Sequence, residues 1–240
     1  MTRRPLPSDR PCDPRSPREI ITAAECVLFD FDGPIASLFS HHRAHEVARV
    51  LLRRIAGWGL APALSDPDDP IQIIRDTAIA LAGSSAHHRI AELEELLCAQ
   101  EIRAARSAVP TDHAYELVEW LMKRGTKLAV STNNSAAAVN TYLERTGLAP
   151  FFGPHVHGRL ADPTLMKPDP ACLTAGLRST GVAAVDSLMI GDSESDVAAA
   201  RAAGVAFLGY ARNDAKDRRL RQAGAQHVVR SFDRLIGDGG

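Results

Sequence analysis

Strands and helices alternate along the second half of the chain. Short apolar runs predict strands at 127–131, 187–190, 205–208 and 227–229. Amphipathic spacing predicts the intervening helices at 113–124, 135–145, 170–179, 196–203 and 215–223. An earlier run, Cys26-Val27-Leu28-Phe29, is apolar at every position, as expected for a strand buried on both faces. The alternation is typical of βαβ units, so we predict an α/β fold with a Rossmann-like parallel sheet core and helices on both faces.

The segment between the first strand and the alternating region, residues 37–108, shows helical periodicity alone. Its apolar positions recur three and four residues apart in three stretches, which Pro and Gly residues separate. We therefore predict an all-helical module inserted into the α/β core, with the size of a small domain. The core then comprises residues 25–36 and 109–240.

Residues 1–24 are predicted to be a disordered N-terminal extension. The first 18 residues hold five Pro and five Arg, and such a segment buries too little apolar surface to offset the entropy of ordering. It lacks the apolar stretch of a secretory signal, and the chain has no run near the ~20 apolar residues of a membrane span. The four cysteines are far apart and lack CxxC spacing, so we expect free thiols in a reducing cytoplasm.

The charge balance disfavours two classes of partner. The 240 residues carry 28 basic and 29 acidic side chains, a net charge of -1, whereas binders of nucleic acid or anionic membranes usually show a basic excess. The basic residues are 24 Arg and only four Lys, namely Lys123, Lys127, Lys167 and Lys216. A coding bias explains this skew without any function, but each Lys becomes a candidate for a role that Arg does not fill.

Polar residues gather where three predicted strands end. Asp30-Phe31-Asp32-Gly33 follows the first strand, Thr132-Asn133 the second and Asp192 the third, while Lys167-Pro168-Asp169-Pro170 lies between the last two. Parallel sheets bind ligands beyond the carboxyl ends of their strands. Carboxylates at adjacent strand ends repel one another unless a cation lies among them, and hard oxygen ligands favour Mg²⁺.

These residue types suit phosphoryl transfer. A carboxylate such as Asp30 attacks phosphorus and forms an aspartyl-phosphate. Asp32, two residues on, protonates the leaving oxygen and then activates water. The transferring group needs cations and hydrogen-bond donors, which Lys167, Thr132 and the turn at Gly33 supply. Lys is a compact point charge and a good phosphate partner, which is a reason for Lys167 to escape the Arg skew.

Four segments resemble, in order, the motifs of the haloacid dehalogenase-like superfamily, in its capped, phosphoglycolate phosphatase-like branch. They are Asp30-Phe31-Asp32-Gly33, Thr132-Asn133, Lys167-Pro168-Asp169-Pro170, and Gly191-Asp192-Ser193-Glu194-Ser195-Asp196 running into an alanine-rich helix. The resemblance covers about residues 26–235, and the helical module stands where the family carries its cap. It implies a Mg²⁺-dependent phosphomonoester hydrolase for a small phosphorylated metabolite.

The resemblance also implies roles for single residues. Asp30 is the nucleophile and a Mg²⁺ ligand, and Asp32 is the acid/base whose backbone carbonyl binds Mg²⁺. Asp192 is a further Mg²⁺ ligand, which Asp196 supports through water or indirectly. The residues that hold the phosphoryl group are Thr132, Asn133, Lys167 and Gly33. The family's dehalogenases lack the second aspartate, so Asp32 favours phosphate chemistry.

Substrate contacts are expected at the start of the helical module, next to the cleft with the core. The candidates are Ser40, His41, His42 and Arg43. His41 and His45 are spaced as in a zinc half-site, but no matching ligands accompany them, so histidines that face solvent or substrate are favoured. Pro34 departs from the family pattern, which has Thr or Val there, and this puts the substrate geometry in doubt rather than the chemistry.

Other interpretations stay open at this stage. The aspartates also suit turns and helix caps, and Lys167 suits a solvated surface, but neither interpretation accounts for four motifs in order. The same aspartyl-phosphate can return its phosphoryl group to a sugar, as in a sugar phosphomutase. A non-catalytic binding or regulatory module of this fold predicts the loss of at least one catalytic residue, and all of them are present.

Overall fold

The structure, a computed structural model, describes residues 14–236. Its helices are α1 (Pro17–Ala23), α2 (Ala44–Gly57), α3 (Pro70–Ala80), α4 (Arg89–Ala105), α5 (Ala114–Lys123), α6 (Ala136–Thr146), α7 (Ala149–Phe152), α8 (Ala171–Thr180), α9 (Glu194–Ala203) and α10 (Asp214–Gln222). Its strands are β1 (Cys26–Phe29), β2 (Ala36–Ser37), β3 (Val109–Pro110), β4 (Lys127–Ser131), β5 (Val156–His157), β6 (Ser187–Gly191), β7 (Ala206–Tyr210) and β8 (His227–Val229).

Six of the strands form one parallel sheet in the order β5-β4-β1-β6-β7-β8. In the middle of the sheet, Cys26 of β1 lies opposite Lys127 of β4 and Ser187 of β6. Side chains alternate between the two faces along β1, so Val27 joins one buried apolar cluster and Leu28 joins another. The predicted α/β fold with a parallel sheet covered on both faces is confirmed.

Helices α2, α3 and α4 pack around one apolar cluster, which includes Val47, Ile74 and Leu93 and which Met166 of the core joins. Helix α4 belongs to two clusters, because Ala104 and Ala105 in its last turn join the apolar cluster of the sheet core. The end of this helix is therefore anchored on the core, while its first turns hold the other two helices.

Three strands of two residues each lie outside the predicted elements. β2 and β3 pair with each other in an antiparallel arrangement at the two ends of the helical module, and β5 pairs with β4. Ser37, the first residue of the segment 37–108, belongs to β2, and the first helix of the segment begins at Ala44. Two residues are too few to produce a period-two pattern, which is why the sequence does not reveal these strands.

The predicted disordered extension at residues 1–24 is wrong for its last part, where α1 forms. Ser16 caps this helix in a capping box with Glu19, and Pro17 occupies its first turn. Ile20 and Ile21 are buried in the core cluster, and this burial offsets the entropy of ordering. The rest of the extension, residues 1–13, lies outside the described residues.

Two further sequence expectations concern cysteines and membranes. Cys26, Cys98 and Cys172 are free thiols, whereas Cys12 lies outside the described residues. Among residues 14–236, no helix is long and apolar enough to cross a membrane.

Candidate active site

Three adjacent strands bring the polar motifs to one edge of the sheet. Asp30 follows β1, Thr132 follows β4 and Asp192 follows β6, and β1 lies between the other two strands. Because the strands are parallel, their carboxyl ends lie on the same side of the sheet. The fold thus places together residues that are far apart in the sequence.

Asp30, Asp192 and Asp196 form a buried cluster of carboxyl groups. One oxygen atom of each lies within 4.8 Å of the others, and the three residues are 8%, 7% and 0% exposed. Burial raises the pKa of Asp30 and of Asp192 to about 6, and the charge of Asp196 adds to the rise in both. Negative charge that is so poorly solvated favours a cation beside it.

Lys167 places an ammonium group in this cluster. Its Nζ atom lies 2.9 Å from Oδ1 of Asp30 and 2.5 Å from Oδ1 of Asp196, and it donates a hydrogen bond of 3.1 Å to the carbonyl of Ser131. Burial by itself lowers the pKa of Lys167, but the carboxylates of Asp196 and Asp30 raise it well above its ordinary value. Lys167 is therefore a permanent positive charge next to Asp30.

Asp32 lies half-buried beyond the end of β1. Its Oδ1 atom accepts a hydrogen bond of 2.9 Å from the backbone N–H of Leu38. Burial raises the pKa of Asp32 to about 6, although the hydrogen bond from Leu38 acts in the opposite direction. A carboxyl group that exchanges its proton near this pH is suited to acid/base catalysis.

Gly33 lets the loop after β1 approach Asp192 closely. Its φ angle is +119°, and a Cβ atom on it would lie 2.4 Å from Cγ of Asp192. Its N–H donates to the carbonyl of Ala36 at 2.7 Å, and its carbonyl accepts from Oγ1 of Thr111 at 2.6 Å. A phosphate contact of Gly33 stays a prediction. In the structure, the missing side chain of Gly33 leaves room for the carboxyl group of Asp192. Pro34 is buried in the same turn.

Asp196 is held in place by the first turn of α9. Its Oδ2 atom accepts hydrogen bonds from the N–H groups of Asp192 and Ser193 at 3.1 and 3.0 Å and from Oγ of Ser193 at 2.7 Å. Ser193 is the N-cap of α9 and forms a capping box with Asp196. Since its other oxygen contacts Lys167, Asp196 holds the lysine as well as the N–H groups before α9. Its support of a metal ligand stays a prediction.

Asn133 clamps the backbone of Lys167. Its Oδ1 atom accepts from the N–H of Lys167 at 2.7 Å, and its Nδ2 atom donates to the carbonyl of Lys167 at 3.2 Å. The buried hydroxyl of Thr132 donates to Oδ1 of Asn134 and accepts from its N–H, both at 3.2 Å. Phosphate contacts of Thr132 and Asn133 stay predictions, and in the structure both residues order the loop next to Lys167.

Lys216 is a site residue that none of the motifs includes. Its Nζ atom forms an ion pair with Oδ2 of Asp192. The scarcity of Lys in an Arg-rich chain is the one sequence signal that points to it. By contrast, Lys127 donates to the carbonyl of Thr180 at 2.7 Å, and Lys123 pairs with Glu119 on the surface.

Two arginines that the sequence does not mark connect the helical module with the site. Arg159 is buried and bonds both the carboxylate of Glu101 in α4 and the carbonyl of Asn133, the latter at 2.7 Å. Arg75 of α3 donates to the carbonyl of Lys167 at 2.6 Å. Contacts between such distant segments leave no local sequence pattern.

The four predicted substrate residues precede α2. Ser40, His41 and Arg43 are exposed, and Nε2 of His42 lies 2.9 Å from Oε1 of Gln100 in α4. Within residues 14–236, no hydrogen bond or ion pair joins any of the four to the carboxyl cluster. Their contact with substrate stays a prediction.

The donor set of the cluster fits Mg²⁺, the cation that the sequence motifs imply. Asp30 and Asp192 offer carboxylate oxygens, the hard ligands that Mg²⁺ prefers. Among the described residues, the group with metal-ligand spacing contains neither His nor Cys, which Zn²⁺ favours.

Comparisons with known proteins indicate the family of the chain. The family model described as haloacid dehalogenase-like hydrolase matches residues 24–204. The chain is 33% identical over 201 residues to a phosphoglycolate phosphatase of Pseudomonas putida, covering 78% of this chain and 70% of that protein. It is 38% identical over 168 residues to a phosphoglycolate phosphatase of Rhodospirillum rubrum, covering 68% and 61%. CbbY from Rhodobacter sphaeroides, solved in complex with phosphate, shares the fold with a TM-score of 0.65 at 20% identity, covering 88% of this chain and 96% of that one.

Proposed function

Because the chain belongs to the haloacid dehalogenase-like hydrolases, we propose that it is a Mg²⁺-dependent phosphomonoester hydrolase that works through an aspartyl-phosphate on Asp30. The relatives named as phosphatases support the reaction class. The 2.9 Å ion pair between Asp30 and Lys167 carries the proposal. It sets a carboxylate nucleophile beside the cation that a phosphoryl group needs.

The reaction proceeds in two proton-balanced steps. A carboxylate oxygen of Asp30 attacks phosphorus, the bond between phosphorus and the ester oxygen breaks, and Asp32 gives its proton to the departing oxygen. Asp32 then takes a proton from water, whose oxygen attacks the aspartyl-phosphate and releases phosphate. A pKa of about 6 supports both roles, because Asp32 holds or accepts a proton at little cost near neutral pH.

The charges around Asp30 stabilise the transferring group. Lys167 lies against Asp30 and contributes a positive charge whose position Asn133 and Asp196 hold. The carboxylates of Asp30 and Asp192 and the backbone carbonyl of Asp32 would hold Mg²⁺, which would supply further positive charge for the phosphoryl oxygens. The buried position of the cluster strengthens these interactions, because water screens them poorly there.

The helical module 37–108 acts as a cap on the core formed by 25–36 and 109–240. The apolar cluster of its three helices supports this division, and β2, β3 and the contact of Met166 with that cluster connect the two parts. Closure of a cap excludes water during transfer and brings specificity residues to the substrate. The substrate is a small phosphorylated metabolite, and the names of the two relatives make 2-phosphoglycolate the first candidate.

Phosphate release from 2-phosphoglycolate and from p-nitrophenyl phosphate, measured with Mg²⁺, tests the proposal. Asp30→Asn should lower kcat by at least about a thousandfold, because it removes the nucleophile. The exposed Asp186 provides a control, since Asp186→Asn makes the same chemical change away from the site. Undiminished hydrolysis by the Asp30 variant would exclude Asp30 as the nucleophile. Conversion of a hexose phosphate to its isomer, without free phosphate, would identify a mutase instead.

A further inference from the structure

Lys216 is directed at the carboxyl cluster from the first turn of α10. Asn213 caps this helix, and its Oδ1 atom accepts from the backbone N–H of Lys216 at 2.9 Å. From that position the side chain reaches Oδ2 of Asp192, with the Lys216 side chain 30% exposed and the Asp192 side chain 6% exposed. The ammonium group thus enters the cluster from its solvent side.

The two lysines of the site divide the carboxylates between them. The ammonium group of Lys167 pairs with Asp30 and Asp196 and also donates to the carbonyl of Ser131. Asp192 receives no contact from Lys167, and its ion-pair partner is Lys216. Lys216 therefore neutralises the carboxylate that Lys167 leaves unpaired.

We propose that Lys216 competes with the divalent cation for Asp192 and so weakens the binding of that cation to the site. This inference rests on the proposed function, in which Asp192 is a metal ligand. An ammonium group on one carboxylate oxygen offsets the negative charge that attracts the metal ion, and it also repels that ion directly. The low local dielectric strengthens both effects. Removal of the ammonium charge should therefore tighten cation binding.

The ion pair between Lys216 and Asp192 also affects the folded protein when no metal ion is bound. Three carboxyl groups within 4.8 Å of one another repel each other, and Lys216 relieves part of that repulsion without any metal ion. The cluster can then form in the folded chain while a later cation displaces a partly exposed ammonium group, which water solvates readily.

Binding of Mn²⁺ to the full chain, followed by the electron paramagnetic resonance signal of free Mn²⁺, tests the inference without reference to activity. Lys216→Met should lower the dissociation constant about tenfold, because it removes one nearby positive charge at similar volume. Lys216→Arg keeps the charge and should bind Mn²⁺ nearly as the wild type does. Lys123→Met makes the same charge change on an exposed residue paired with Glu119 and is the matched control.

Each outcome has a distinct meaning. Tighter binding by the Lys216→Met variant alone supports the inference. Equal binding by wild type and Lys216→Met, weaker binding by that variant, or an equal gain in Lys123→Met overturns it, the last because net charge would then be the cause. If neither the wild type nor the Lys216→Met variant binds Mn²⁺, the metal dependence in the proposed function is wrong together with the inference.

Discussion

Arg159 and Glu101 form a buried, two-pronged ion pair between helix α4 and the loops beyond β4 and β5. Nη1 lies 3.0 Å from Oε1, and Nη2 lies 3.2 Å from Oε2. Arg159 also bonds the carbonyl of Asn133, which in turn clamps the backbone of Lys167. The pair therefore links the end of α4 to the loop that positions the lysine next to Asp30.

Glu101→Gln should lower the free energy of unfolding by about 2 kcal/mol, because the buried carboxylate accepts hydrogen bonds from Arg159, Asn134 and Ser135, and an amide cannot accept them all. Glu94 stays paired with Nε of Arg159 in this variant. Urea unfolding measures this change. Glu92 lies on the same helix and pairs with Arg54 at the half-exposed surface, so Glu92→Gln should change stability by less than about 0.5 kcal/mol. Equal effects of the two substitutions would contradict the importance of the buried pair.

Gly33→Ala should lower kcat by roughly a hundredfold, because its Cβ atom would collide with the carboxyl group of Asp192 and displace that group. Steady-state hydrolysis of p-nitrophenyl phosphate measures the loss. Gly125 also has a positive φ angle, +80°, but a Cβ atom there meets nothing within 4 Å. Gly125→Ala therefore controls for backbone strain, and comparable losses of kcat in both variants would show that strain is the cause.

The thermal stability of the protein in EDTA should depend on pH through Asp192. Its pKa is about 6 in the folded chain and 3.8 in its ordinary state, so the folded state holds the proton more tightly. Folding therefore loses stability as the pH rises from about 4 to about 6, where the unfolded chain has already released that proton. Asp192→Asn removes this loss of about 2 kcal/mol, so its melting temperature should gain about 6 °C on the wild type across this range.

Asp186→Asn provides the matched control for that experiment, because Asp186 is exposed immediately before β6. The difference between its melting temperature and that of the wild type should stay constant with pH. A difference for Asp192→Asn that is equally constant would show that burial does not raise the pKa of this carboxyl group.

Asp32→Asn should show burst kinetics with p-nitrophenyl phosphate. Nitrophenolate is a good leaving group that needs little protonation, so Asp30 is still phosphorylated, whereas water lacks its base in the second step. Stopped-flow absorbance should record up to one equivalent of nitrophenol per enzyme, followed by slow turnover. Asp30→Asn should show neither phase, and wild-type steady-state turnover in the Asp32 variant would contradict the base role.

Local sequence patterns predict much of this fold. The apolar run of β1 and the β4 and β8 strands lie where the sequence places them, and the helix after β4 differs from its predicted range by one residue at each end. The sequence does not predict the three strands of two residues, because they are too short to show a periodic pattern. The sequence does not predict helix α1 either, because the Pro-rich and Arg-rich composition indicates disorder. The capping box and the two buried isoleucines stabilise this helix nevertheless.

Some residues of the candidate site can be predicted from the sequence, and others only from the structure. Short motifs contain Asp30, Asp32 and Lys167, and the residue types of these motifs indicate their chemistry. The ion pair from Lys216 to Asp192 and the bonds of Arg159 join segments that are distant in the chain. No local pattern encodes them, so only the packed structure reveals them.

The sequence by itself determined the order of strands and helices, the residue types at the strand ends and the family to which those motifs point. Such features depend on the periodic exposure of neighbouring residues, which the chain carries locally. The tertiary structure alone decided which carboxylate each lysine neutralises, which glycine must yield space to Asp192, and how α4 joins the site. Those relationships depend on packing between distant segments, because burial brings the groups together and makes their charges interact strongly.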